Sequence, residues 1–254
     1  MKLAVSGKGG VGKTTIAALT ADELVRRGYR VTAIDADPNP TLAPVLGFPP
    51  VPVTPLLEMK EEIEQRVGGS DGFVRLNPRI DDLVERVTLE HRGIQLIVAG
   101  AITRGGAGCA CPQSVLLRRL LEHLVLEREE AVIIDLEAGL EHLGRRSAHA
   151  ADALLVVVDP SRGSLDTAGR IRRLAGEIGI AQVLAVANRI RSPADLAYIT
   201  EHLHGIPIAG QIPYSETLCE AERAGTLVVD ETVEAAARRL VDALETRCGG
   251  RISQ

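Results

Sequence analysis

Seven short apolar runs punctuate this chain, at residues 3–5, 29–34, 94–99, 131–135, 153–158, 182–187 and 206–211. They read as continuous runs, the pattern of strands covered on both faces. Between them, apolar residues recur at helical spacing over 15–27, 57–67, 164–178 and 231–246, and from Pro112 through Val115, Leu116, Leu120 and Leu124. Strands alternating with helices predict an α/β fold, a doubly wound and mainly parallel sheet. No shift in composition divides residues 1–254, so one domain is expected.

The connecting segments are less regular. Helix 15–27 closes at Gly28, with Arg26 and Arg27 at its negative end. The proline-rich stretch 38–55 reads as a surface loop with one helical turn near 42–46. Residues 68–72 read as a flexible loop, 73–76 as a weak strand, and the charges at 58–64 as a solvated helix face.

One stretch carries chemistry directly. Residues 7–15, Gly-Lys-Gly-Gly-Val-Gly-Lys-Thr-Thr, stand between the first strand and the first helix and match G-x-x-x-x-G-K-[ST] at Gly7, Gly12, Lys13 and Thr14. In such a loop the backbone around Gly9, Gly10, Val11, Gly12, Lys13, Thr14 and Thr15 turns its N–H groups toward phosphate. The helix start adds partial positive charge, Lys13 can reach the outer phosphates, and the Thr14 hydroxyl can hold Mg²⁺. A nucleotide site is the expectation.

Composition narrows the partners. A net charge of -5, 2% aromatic residues and no Trp argue against a DNA-coating surface and against base-stacking platforms, so nucleic acid is not an expected partner. No apolar run is long enough to span a bilayer and no signal peptide precedes the first strand, so a cytoplasmic protein without a membrane partner is expected. The final helix also lacks the strongly basic face of a membrane-targeting helix. Of 29 basic residues only Lys2, Lys8, Lys13 and Lys60 are lysines. Two of those sit in the phosphate loop, where a compact ammonium is not interchangeable with a planar guanidinium, and this marks Lys8 beside Lys13.

Other strand ends bring polar groups to the edge where open α/β sheets bind ligands. Asp35-Ala36-Asp37-Pro38 follows the second strand, and an Asp-Pro turn explains Asp37 as well as a place beside the phosphates does. Asp135 closes an apolar strand in the position of a carboxylate that holds Mg²⁺ through water. Asn188 offers an acceptor and donors that suit the adenine edge, with a plain turn residue as the alternative. Cys109 and Cys111 form a Cys-x-Cys pair on a glycine-rich loop before Pro112. Two thiolates are half of a tetrahedral set, which two copies of the chain meeting at a two-fold axis would complete. Reduced cysteines without a metal, or an Fe–S cluster, are the alternatives.

The loop with its additional Lys8 resembles the deviant Walker A sequence of the nitrogenase iron protein, MinD and ParA group. That resemblance implies a P-loop ATPase that uses ATP/ADP and Mg²⁺ and forms an ATP-dependent homodimer. In such a dimer Lys8 reaches the partner's nucleotide, Lys13 serves its own, and Asp37 orients the attacking water. It further implies that the Gly139 N–H senses the γ-phosphate, that Asn188 reads the base, and that the backbone at Pro213 edges the adenine. Adding Cys-x-Cys-Pro at 109–112 and Asp-Leu-Glu-Ala-Gly-Leu-Glu-His at 135–142, the chain looks like the CooC-type ATPases. This narrower resemblance implies a metallochaperone for nickel insertion into a client enzyme, carbon monoxide dehydrogenase, with Ni²⁺ or Zn²⁺ bridged between subunits by Cys109 and Cys111. The competing expectation is a MinD- or ParA-like nucleotide-switched scaffold without a metal role.

Overall fold

The computed structural model describes residues 1–37, 39–50, 54–67, 80–100, 112–127, 131–137, 139–140, 148 and 151–248. Among them, eight strands form one sheet: β1 (Lys2–Gly7), β2 (Val31–Ala36), β3 (Leu89–His91), β4 (Ile94–Val98), β5 (Ala131–Leu136), β6 (Ala153–Val158), β7 (Val183–Ile190) and β8 (Ile208–Pro213). Their order is β3-β4-β2-β5-β1-β6-β7-β8. All neighbours run parallel except β3 and β4, which pair antiparallel at one edge.

The described helices are α1 (Lys13–Arg26), α2 (Leu42–Val45), α3 (Lys60–Val67), α4 (Asp81–Val87), α5 (Pro112–Glu127), α6 (Arg162–Ile178), α7 (Pro193–His202), α8 (Glu216–Ala224) and α9 (Glu231–Cys248). A 3-10 turn spans Leu56–Glu58. The strand period of two explains how one sheet carries two layers of helix. In β6, Leu154, Val156 and Val158 face one way and join Leu116 and Leu120 of α5, Leu165 and Ile171 of α6, and Ile199 of α7. The alternate residues Ala153, Leu155 and Val157 face the other way, toward Ile16 and Leu24 of α1, Leu218 of α8 and Leu240 of α9. Each fully buried Leu, Ile or Val in these layers is worth about 1.5–3 kcal/mol relative to exposure, so the two aliphatic layers hold the doubly wound sheet without a tryptophan. None of the helices among the described residues is long and apolar enough to cross a membrane.

Several boundaries differ from the sequence expectation, each for a local reason. The last strand begins at Ile208 because Pro207 has no N–H to give the ladder; its carbonyl accepts from Ala185 N instead. β7 runs on to Ile190, past the expected end at 187, because the register with β8 resumes at Ile190 opposite Pro213 after an irregularity. Helices α7 and α8 complete the β7–β8 side of the fold. α7 opens with a capping box, Ser192 with Asp195, and Pro193 at its first turn. α8 opens on Ser215, whose Oγ accepts from Leu218 N at 3.1 Å. The weak strand expected at 73–76 lies outside the described residues.

What this arrangement does for function is to set β1 between β5 and β6, with β2 beyond β5. The carboxyl ends of β1, β5 and β2 therefore lie side by side. The register places Val5 opposite Asp135, and Asp135 opposite Asp35. The phosphate loop and two acidic strand ends are thus brought to one edge of the sheet.

Candidate functional site

The glycine-rich loop leaves β1 at Gly7 and enters α1 at Lys13. A side chain is excluded at two of its turns. A Cβ on Gly7 would stand 2.5 Å from the Val157 carbonyl oxygen, and one on Gly12, whose φ is +93°, would stand 2.4 Å from Asn188 Nδ2. Gly12 caps α1 in a left-handed conformation, with no side chain filling the helix N-terminus and no acid in its first turn. The first N–H groups of a 14-residue helix are thereby left for an anion. Val11 is buried beneath the loop, and Lys13 is 9% exposed. Lys8, by contrast, is exposed and lies across the first turn of α6, where a Cβ on Gly163 would come within 3.0 Å of its Nζ.

The acids stand beside this loop. Thr14 Oγ1 donates to Asp135 Oδ2 at 2.6 Å. The other oxygen, Asp135 Oδ1, is buried with no hydrogen-bond partner among the described residues. Burial, the largest cause, pushes the Asp135 carboxyl up to about 7; the Thr14 bond opposes this, and Asp35 reinforces it. Asp35 is likewise pushed up to about 6 by burial, against the lowering effect of bonds from Leu42 N at 2.8 Å and Asp37 N at 3.2 Å. A hydroxyl, an orphaned carboxylate oxygen and a phosphate loop form a hard-oxygen donor set that suits Mg²⁺, which keeps several waters and uses few protein ligands. Asp37 follows β2, half-buried and close enough for its charge to act on Asp35 and Asp135, with its Oδ1 accepting from Asn39 N at 2.9 Å. The second acidic segment is tied to the first strand: Ser6 Oγ, fully buried, lies 3.1 Å from the carbonyl oxygen of Gly139 and 3.3 Å from that of Glu137.

The ends of β7 and β8 close the other side. Asn188 is 2% exposed. Its Nδ2 donates to the Val11 carbonyl at 2.8 Å and its Oδ1 accepts from Arg189 N at 2.9 Å. Next to it, a cavity of about 600 Å³ is lined by Asp159, Arg189, Arg191, Tyr214, Cys219 and Glu222 among others. The Arg191 guanidinium sits 3.7 Å from the centre of the Tyr214 ring. Pro213 ends β8 and lines the adjoining cavity with Ile190, Arg191 and Gln211.

Of the residues marked in the sequence, the structure gathers Gly9, Gly10, Val11, Gly12, Lys13, Thr14, Thr15, Asp135 and Asn188 around the loop, with Asp37 and Gly139 at its acidic side. Cys109 and Cys111 lie outside the described residues, and no cluster of three or more His, Cys, Asp or Glu able to hold a metal occurs among the described ones. Four further participants are Ser6, Asp35, Arg189 and Glu222, none of them marked as a site residue by the sequence. Asp35 had a readable signal, an acid at the end of an apolar strand, as in Asp135. The contacts of Arg189 and Glu222 come only from tertiary packing.

Comparison with known proteins places this geometry. The family model described as the CobQ/CobB/MinD/ParA nucleotide binding domain matches residues 2–228. The carbon monoxide dehydrogenase accessory protein CooC of Rhodospirillum rubrum is 40% identical over 237 residues, covering 91% of this chain and 90% of that protein. An ATP-binding protein of Methanocaldococcus jannaschii is 41% identical over 231 residues, covering 89% and 90%. Among solved structures, the MinD cell division protein of Aquifex aeolicus has a TM-score of 0.68 at 23% identity, over 97% of each chain. The septum site-determining protein MinD of Pyrococcus horikoshii, complexed with Mg-ADP, has a TM-score of 0.67 at 21% identity, over 98% of this chain and 97% of that one. These two share the fold. With its phosphate loop, buried Lys13 and Thr14–Asp135 pair, the chain belongs to the CobQ/CobB/MinD/ParA nucleotide-binding domain family and is a P-loop ATPase.

Proposed function

We propose that this protein is an ATP-hydrolysing, dimer-forming metallochaperone that gates nickel delivery to a client metalloenzyme of the carbon monoxide dehydrogenase kind. The observation that carries the nucleotide half is the Thr14–Asp135 bond at the mouth of the loop, with Asp135 Oδ1 buried and without a hydrogen-bond partner among the described residues. The metal half is supported by the 40% identity to CooC across 91% of the chain and by the Cys-x-Cys pair at Cys109 and Cys111.

In this reading the N–H groups of residues 9–15 and the Lys13 ammonium hold the phosphates, and Thr14 and Asp135 hold Mg²⁺, the latter through water. Bound Mg²⁺ supplies charge neutralisation on the outer phosphates. Asp37 accepts a hydrogen bond from the attacking water and orients it in line with the γ-phosphate. The Gly139 N–H, which here donates to the Glu137 carbonyl at 2.7 Å, would turn to the γ-phosphate when ATP binds, so the segment tied to Ser6 responds to its loss. Asn188 and the backbone at Pro213 edge the adenine. Lys8, exposed and lying beside Gly163, extends to the nucleotide of the partner copy. Pairing the monomers brings two copies of Cys109 and Cys111 together, and four thiolates bind the metal cargo, Ni²⁺ or Zn²⁺; hydrolysis separates the halves and releases it.

The experiment is metal binding by the variant Cys109→Ser/Cys111→Ser, measured by equilibrium dialysis with Ni²⁺ and with Zn²⁺ beside ATP titration. The expected result is loss of stoichiometric metal with ATP binding kept. Retained metal overturns the thiolate site and leaves a nucleotide-switched scaffold as the reading.

A further inference from the structure

A phosphate loop works by pointing N–H groups inward, which forces its carbonyl groups outward, where they need donors of their own. In this chain two of them, at Val11 and Gly10, find donors on distant segments. The Val11 carbonyl takes Asn188 Nδ2 at 2.8 Å, and the Gly10 carbonyl takes Arg189 Nη1 at 2.9 Å. Arg189 is a non-glycine residue in the left-handed region, with φ at +59°. That conformation is uncommon for a long side chain, so the surrounding contacts must hold it. One of them is Glu222 on the last turn of α8: its Oε2 lies 3.3 Å from Arg189 Nη2, while its Oε1 accepts from Thr15 Oγ1 at 2.5 Å. A Cβ placed on Gly12 would stand 3.8 Å from the same Oε1.

Glu222 is anomalous on charge alone. A carboxylate beside a loop built for phosphate repels the ligand, and its side chain is only 24% exposed, so water screens it incompletely. Its two hydrogen bonds give it a use that offsets this repulsion. We propose that Arg189 and Glu222 are positioning residues that form an external brace of the phosphate loop. Arg189 holds the Gly10 carbonyl outward, and Glu222 fixes both Arg189 and the Thr15 hydroxyl at the start of α1. The inward N–H array is thereby set before nucleotide arrives, and nucleotide affinity depends on a contact made outside the cradle. This rests on the loop's nucleotide-binding role.

Charge and brace predict opposite signs, which makes the test decisive. Nucleotide affinity is measured by isothermal titration with ATP and with ADP, on full-length protein and in Mg²⁺ buffer. If Glu222 acts only as a repelling charge, Glu222→Ala tightens ATP binding. The brace predicts that Glu222→Ala and Arg189→Ala each weaken ATP and ADP about tenfold, as expected for loss of a hydrogen bond to a charged group. It also predicts that the double variant is no weaker than the worse single, because the two side chains act as one unit. The charge-reversed pair Arg189→Glu/Glu222→Arg separates a brace from an ordinary ion pair. The reversal restores the attraction but leaves the Gly10 carbonyl without its donor, so nucleotide-free thermal stability returns while ATP affinity does not. Affinity that returns with the reversed pair, single variants that bind as tightly as the wild type, or two losses that add all overturn the brace. Glu222→Gln keeps an acceptor for Thr15 and is expected to fall between wild type and Glu222→Ala, which keeps the proposal testable if the double variants do not fold. A wild-type protein that binds no nucleotide sinks the nucleotide reading itself, an outcome distinct from variants that bind normally.

Discussion

The phosphate side of this site and the side formed by β7 and α8, the proposed base side, are assembled by different means. On the phosphate side, one strand-loop-helix unit of adjacent residues supplies nearly everything: Gly7 ends β1, Gly12 caps α1, and Lys13 opens it. From afar come Asp135, the partner of Thr14, with Asp37 and Gly139 beside it. On the base side, every contact with the loop spans most of the chain: Asn188 reaches Val11 across 177 positions, Arg189 reaches Gly10 across 179, and Glu222 reaches Thr15 across 207. The difference teaches that a motif marks the part of a site whose geometry is local, while the part that holds the motif in shape is distributed over β7 and α8.

If that division is right, damage on the phosphate side disables chemistry and damage on the base side weakens binding. The largest effect is expected from Lys13→Ala, which removes the buried cation of the cradle; steady-state ATP hydrolysis falls by roughly 10³, the scale for losing one fixed charge-stabilising group. Hydrolysis near the wild-type rate in that variant would abolish the distinction. Next, Asp37→Asn is expected to slow single-turnover hydrolysis by roughly 10², the lower end for loss of a general base, while the ATP dissociation constant stays close to wild type. Equal losses in binding and turnover would move Asp37 from chemistry to ordinary binding.

A third effect concerns stability rather than rate. The Asp135 carboxyl is pushed up to about 7, first by burial, so between about pH 4 and pH 7 the folded, metal-free protein holds a proton there that the unfolded chain releases. Folding stability from this group is therefore fully present at low pH and is lost as pH rises through 7. Asp135→Asn, measured by urea unfolding with Mg²⁺ chelated, is expected to be more stable than wild type by about 4 kcal/mol at pH 8 and close to it at pH 4. A difference independent of pH would place the effect in packing instead. The smallest of the four falls on the base side: Asn188→Ala removes the donor to Val11 and is expected to weaken ATP about tenfold, with the hydrolysis rate of the bound nucleotide little changed.

Much of the fold was legible because its signals are local. Continuous apolar runs such as 153–158 are what a strand covered by Leu165 on one side and Leu240 on the other requires, and the predicted parallel sheet follows. The antiparallel strand β3 is three residues long and half-buried, too short for a period to show. The helices α7 and α8 do carry caps, Ser192 and Ser215, but cap and period in a nine- or ten-residue element compete with the turn signals of Pro193 and Gly225. In the site, the loop and Asp135 announce themselves by motif. Arg189 and Glu222 do not, since an acid on a helix end or an arginine after a strand is ordinary until packing brings it to Thr15 or Gly10.

The most direct test of the account is the mass of the protein in solution, measured by light scattering with and without a non-hydrolysable ATP analogue, together with metal content, for wild type and for Lys8→Ala. The expected result without nucleotide is a monomer. With the analogue, the expected result is a dimer holding metal shared between two chains, and a Lys8→Ala protein that binds the analogue but stays monomeric and metal-free. A wild-type protein that remains monomeric with the analogue bound, or a Lys8→Ala protein that dimerises and takes up metal like the wild type, contradicts the account.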